Sequence, residues 1–262
     1  MSKTLKQPDF ILGGATRSGI GTLTHILDHH PQVFIPHLKE HRFFMQSDFS
    51  TNRISSLREP FADAVNINNN GPIAKNRVLH GEKEFDPERA HEGCPNAKIV
   101  FTLRNPVERA YVQFYHALSD KKETVRTFEH AMEAELSGLR SPDTTGRCWI
   151  FKNQYQTHLD HWLSFYPKEN ILVMIYEEWT DPVSGNFDIL EEFLGLGHGS
   201  LMENHGDETF QPQQKIESLR ENYPKKFPAL SEATKEQLED IFSIDKTFIS
   251  NFLGRDIPSW QR

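Results

Sequence analysis

Residues 10–27 read FILGGATRSGIGTLTHIL. An apolar strand, Phe10–Leu12, runs into a turn of small residues and then into a segment where Leu23, Ile26 and Leu27 recur at helical spacing, stopping before Pro31. A strand-to-helix connection needs few glycines, yet this one holds Gly13, Gly14, Gly19 and Gly21 around Arg17. Such a turn leaves backbone N–H groups converging on one spot at the head of the helix, where the helix dipole adds positive potential. Arg17 adds a charge-assisted donor, and Ser18 and Thr22 add hydroxyls. The combination suits a phosphate or a sulfate. Close helix–strand packing is the plainer use of the same glycines. The ATP-binding pattern G-x-x-x-x-G-K-S/T finds Gly14 and Gly19 but meets Ile20 and Gly21 where Lys and Ser/Thr belong, which counts against a kinase or NTPase.

Outward from this loop, further apolar runs lie at Val33–Ile35, Val78–Leu79, KIVFTL (98–103) and ILVMIY (171–176). They are continuous rather than alternating, as strands of a parallel sheet covered on both faces are. Helical periodicity falls between them. Val107, Tyr111, Phe114, Tyr115 and Leu118 share one face of 107–118, and Phe151, Tyr155, Leu159, Trp162, Leu163 and Tyr166 share one face of 151–166. A further helix is expected over 231–242, with Ser231 at its start, followed by KTFISNFLGRD. The pattern predicts an α/β fold: a single domain over 1–262 with a central parallel sheet flanked by helices. Irregular stretches are expected at 50–77, as an excursion over a binding site, and at 139–148 and 197–228.

The formal charge of −8 argues against a general nucleic-acid or anionic-membrane binder, though not against one local basic pocket. Two cysteines, Cys94 and Cys148, stand far apart, so neither a disulfide framework nor a cysteine zinc site is expected. The thirteen histidines show no metal spacing. The N-terminus MSKTLKQPDF has no apolar signal core, and the longest apolar run is too short to span a bilayer. A cytoplasmic location is the expectation, and oligomeric state is left open.

FILGGATRSGIGTLTHILDHHPQVFIPHLKEHRFF (10–44) resembles the 5′-phosphosulfate loop of sulfotransferases that use 3′-phosphoadenosine 5′-phosphosulfate (PAPS), in particular the heparan-sulfate and bacterial carbohydrate types. KIVFTLRNPVERAYVQFYHAL (98–118) is similar to their 3′-phosphate segment. Matches at 155–182 and 230–260 follow in the family's order. The resemblance implies a P-loop-like cradle formed by Arg17, Ser18, Gly19, Ile20, Gly21 and Thr22, with Arg17 also on the sulfuryl group. It implies Arg104 on the 3′-phosphate, Glu40 in PHLKEHRFF as general base, and Lys39 and Lys83 as further cations at the reacting centre. His41, beside Glu40, is the second acid–base candidate. PAPS is then the donor, adenosine 3′,5′-bisphosphate (PAP) the product, and no metal is required. The acceptor is a saccharide or small-alcohol hydroxyl, a neutral one being favoured by the protein's own acidity. The chain departs from the family at Val112, where a serine usually supports the 3′-phosphate, and at Ile20-Gly21, where two hydroxyls usually stand. Arg109 and Gln113 are candidates to replace the lost serine. Lys215, Arg220, Lys225 and Lys226 are candidates for the basic segment that covers the nucleotide. A kinase and a non-catalytic nucleotide-binding module are the alternatives.

Overall fold

The computed structural model describes residues 8–35, 76–80, 86–141, 147–181, 185, 187–203, 211–222 and 227–261. In chain order the elements are β1 (Phe10–Gly14), α1 (Ile20–Asp28), β2 (Val33–Phe34), β3 (Asn76–His80), α2 (Pro87–Gly93), β4 (Lys98–Leu103), α3 (Pro106–Ser119), α4 (Phe128–Leu136), α5 (Tyr155–Leu163), β5 (Ile171–Ile175), α6 (Tyr176–Trp179), α7 (Asp188–Leu194), α8 (Pro212–Asn222), α9 (Glu232–Ile241) and α10 (Ser243–Leu253). The strands form one sheet in the order β2-β3-β1-β4-β5, every pair parallel. This is the expected α/β architecture. β1 has neighbours on both sides, with Phe10 opposite both Val78 and Lys98, and all five of its residues are buried. Side chains of both faces are therefore covered, which explains why its sequence is continuously apolar. β2 and β3 lie to one side of β1 and β4 and β5 to the other. The loop after β1 therefore leaves the carboxyl edge of the sheet where the strand order reverses, the place where open α/β sheets bind ligands.

The chain groups into two compact units, 1–103 with 161–219 and 104–160 with 220–262. The first holds the sheet. Its core joins Phe10, Leu12, Leu23, Ile26, Leu27 and Val100 to Trp179, Phe187, Leu190 and Leu201. The second is helical, with Val107, Ala110, Phe114, Phe128, Met132, Trp149, Leu238 and Phe242 packed together. Buried Glu123 accepts from Nη1 and Nη2 of Arg140, at 2.8 and 2.9 Å, and from the amides of Thr124 and Val125. Burial raises the Glu123 pKa, but the Arg140 pair and the two amides outweigh it and hold the carboxyl at about 2.

Two expectations need correction. The helix expected over 151–166 is a short 3-10 turn, Phe151–Asn153, then a break at Gln154, then α5. The Asn153 side chain makes that break, donating to Trp149 O and Gln113 Oε1 and accepting from Arg109 Nη1. The stretch 197–228 contains α8. Among its described side chains only Pro212 and Ile216 are buried, between polar neighbours, too sparse a signal to read as a period. Helices α2 and α4 were also not expected, although Asp86 caps the first and Thr127 the second. Most of 50–77 lies outside the described residues; its last two, Asn76 and Arg77, open β3.

Candidate anion-binding site

The loop between β1 and α1 is held from beneath by Thr102 of β4. The Thr102 carbonyl accepts from the Ala15 amide at 3.0 Å, and its hydroxyl donates to the Ser18 carbonyl at 2.8 Å. That hydroxyl in turn accepts from Trp179 Nε1 at 2.8 Å. Ser18 N–H closes the turn on Ala15 O at 3.2 Å. Between these anchors Arg17 takes φ 66, a left-handed conformation uncommon for a residue with a side chain. Gly19 follows with φ 80 and caps α1; a Cβ there would lie 2.5 Å from Trp179 Cζ2. Glycine is required at this position twice over, by conformation and by the ring beside it.

Gly19, Ile20 and Gly21 donate to no acceptor among the described residues, and α1 has no side-chain cap. Ser18 is fully buried and its Oγ has no partner among them. Helix N-termini satisfy these donors with a capping side chain, with water or with a ligand. Unspent amides, an orphaned buried hydroxyl and a neighbouring arginine are the donor set that an oxyanion uses. The residues present therefore fit a phosphosulfate. Thr22, also buried, sits one turn into α1.

Arg104 opens the second unit directly after β4. It is nearly buried, and its Nη2 and Nε donate to Glu108 Oε2 at 2.8 and 3.3 Å. Tyr155 OH donates to the Arg104 carbonyl at 2.7 Å, and the Asn105 side chain caps α3 through the Val107 amide. Backbone and cap thus fix where the guanidinium begins. Val112 is buried rather than off the packed faces of its helix, though it is not a member of the apolar cluster around Phe114. Arg109, proposed to replace the missing serine, instead bonds Lys152 O at 2.7 Å and Asn153 Oδ1 at 3.1 Å, while Gln113 accepts from the Asn153 amide. Both serve the break before α5.

Lys39, Glu40, His41 and Lys83 lie outside the described residues, as do Lys225, Lys226 and the Arg220 side chain; Lys215 is exposed on α8. Thr102 and Trp179 were not singled out from the sequence, and Tyr155 was read only as part of an apolar helix face. A threonine inside the otherwise apolar run KIVFTL was the available signal for the first. Asp188, Glu191 and His198 gather their ligand-type atoms within 4.8 Å, a grouping the histidine spacing did not show. Here His198 Nδ1 sits 3.0 Å from Asp188 Oδ1, and the Glu191 oxygens accept from the amides of Gly199 and Leu201. These contacts lock the turn after α7.

A parallel sheet flanked by helices, with a glycine-rich loop at the strand-order reversal, places the chain among the α/β proteins. A family model described as the sulfotransferase domain matches residues 7–243, and the chain belongs to that family. It is 24% identical over 274 residues to the bifunctional heparan sulfate N-deacetylase/N-sulfotransferase 2 of Bos taurus, covering 97% of this chain but 31% of that protein. It is 21% identical to the membrane-associated sulfotransferase kil1 of Dictyostelium discoideum, covering 99% of this chain and 68% of the relative. A sulfotransferase structure from Alicyclobacillus acidocaldarius superposes with a TM-score of 0.68 at 22% identity, over 98% of this chain and all of that one, which establishes the shared fold. Among the described residues no helix is long and apolar enough to cross a membrane.

Proposed function

We propose that this chain transfers a sulfuryl group from PAPS to a hydroxyl of a saccharide or small alcohol, releasing PAP. The observation that carries the reading is the row of unspent amides at Gly19–Gly21 beside Arg17, in a chain that belongs to the sulfotransferase family. PAPS supplies an activated sulfuryl group on a phosphate leaving group, so the protein's work is positioning and charge stabilisation. The loop amides and Arg17 hold the 5′ end and offset charge that builds on the bridging oxygen. Arg104 holds the 3′-phosphate, exchanging part of its pairing with exposed Glu108 for the ligand. Glu40 takes the proton of the acceptor hydroxyl, with Lys39 and Lys83 stabilising charge at the leaving group. Beside two lysines its carboxylate would be weakly basic, so a dry pocket is part of the proposal. No metal has a role in this scheme.

Binding is tested first, with PAPS, PAP, ATP and AMP compared by thermal shift. PAP should stabilise the protein more than AMP, and equal shifts would remove the 3′-phosphate contact. A preference for ATP would favour the kinase alternative, and binding without turnover the non-catalytic one. Labelled PAPS with panels of sugars, alcohols and amino sugars then finds the acceptor. Amines belong in the panel because the mammalian relatives are N-sulfotransferases by name. With the acceptor in hand, Glu40→Gln should lower turnover about 10²–10⁴-fold with donor binding retained. The reverse pattern, a silent Glu40→Gln with a dead His41→Ala, moves the base to the imidazole.

A further inference from the structure

Thr102 belongs to β4 and Trp179 to α6, the short helix after β5, and neither has a role in the scheme above. Thr102 touches the loop twice, accepting from Ala15 N–H at 3.0 Å and donating to Ser18 O at 2.8 Å. It is fully buried, and its hydroxyl has one proton. Trp179 Nε1 donates to that oxygen at 2.8 Å, so the hydroxyl proton is directed to the Ser18 carbonyl. In a planar trans peptide the C=O and the following N–H point in opposite directions. Drawing the Ser18 carbonyl inward onto Thr102 therefore turns the Gly19 N–H outward, into the row formed with Ile20 and Gly21. The Trp179 ring also lies against Gly19, close enough that a Cβ there would come within 2.5 Å of Cζ2. Tyr176 and Phe187 rings pack on Trp179, with centroids 5.9 and 5.7 Å away, and hold the indole in place.

We infer that the Trp179–Thr102 pair is a positioning device that aims the Gly19 amide at the 5′-phosphate end of the donor. The inference rests on the PAPS reading given above. It separates this pair from ordinary core packing because it predicts an effect confined to one end of the nucleotide. Titration calorimetry with PAP and with adenosine 3′-monophosphate, which lacks the 5′-phosphate, reads that end directly. Thr102→Val keeps the shape and removes the hydroxyl. It should weaken PAP about tenfold and leave adenosine 3′-monophosphate unchanged, the size expected for one hydrogen bond to a charged group. Thr102→Ser should restore most of the difference, and Trp179→Phe should lose part of it. Amide hydrogen exchange over 15–22 in the unliganded variants provides a check that needs no nucleotide, and Thr102→Val should exchange faster there than wild type.

Thr102→Val binding PAP as wild type does would overturn the inference and leave the donor assignment intact. Equal loss for both nucleotides would overturn it too, reducing the pair to structural support. A wild-type protein that binds neither nucleotide would instead sink the donor assignment and the phosphate-aiming role with it.

Discussion

Gly19→Ala tests the loop most directly, because its cost divides into two parts that the structure states separately. Gly19 has φ 80 and ψ 5, and an L-residue forced into that left-handed region costs about 1–2 kcal/mol. The new methyl would also lie 2.5 and 2.9 Å from two Trp179 ring carbons and 3.1 Å from Tyr176 Cδ2. The indole is tied by its hydrogen bond to Thr102, so it has little freedom to withdraw, and overpacking of this kind costs about 1–3 kcal/mol. Together the expected loss is about 2–5 kcal/mol, a large share of the stability of an ordinary domain. Two residues on, Gly21 is the internal control. It is exposed and lies in α1, and a Cβ there meets nothing within 4 Å. Gly21→Ala should therefore be neutral or stabilising by up to about 1 kcal/mol through helix propensity. Urea unfolding of both variants, with the slopes compared to establish that the same transition is followed, gives the two numbers. In a Trp179→Leu background the packing part should shrink, leaving about 1–2 kcal/mol for the backbone. A Gly19→Ala protein as stable as wild type, or equal losses from both glycines, would refute the reasoning.

Glu123→Gln removes the charge that faces Arg140 in the second unit. A carboxyl held at about 2 against 4.5 contributes on the order of 3 kcal/mol at neutral pH, present above pH 4.5 and lost as pH falls through the folded value. The stability gap between variant and wild type should therefore narrow steadily below pH 4.5, and a gap at pH 2.5 equal to that at pH 7 would contradict the pairing. Val112→Ser restores a hydroxyl at a buried position of α3, and calorimetry should show tighter PAP binding while unfolding shows a loss of about 1–1.5 kcal/mol from the exchanged apolar surface. Unchanged PAP affinity would mean that this face of α3 does not meet the nucleotide. Arg17→Ala should lose most transfer activity in the labelled-PAPS assay, whereas added EDTA should leave the wild type active; strong EDTA inhibition rescued by magnesium would reverse the metal-free scheme.

The sequence by itself determined the strands, the glycine-rich turn into α1 and the family. These are local quantities: a continuous apolar run says that a strand is covered on both faces, and clustered glycines before a helical period say that backbone amides are being brought to a point. The end of β4 was legible for the same reason, since the run KIVFTL stops at Arg104 before Asn-Pro. The tertiary structure decided what lies under that loop. Thr102 looks like a minor lapse in an apolar strand until the sheet places β4 beside β1, and its partners are 84 and 77 residues away in the chain. The break at Gln154 depends in the same way on Arg109 and Gln113, two helix residues that the sequence offered as phosphate ligands and that the fold assigns to Asn153. Periodicity records which side of a segment is buried. It carries no information about which buried polar group will meet another, because that pairing is set only when distant segments pack and each donor taken from water has to find an acceptor.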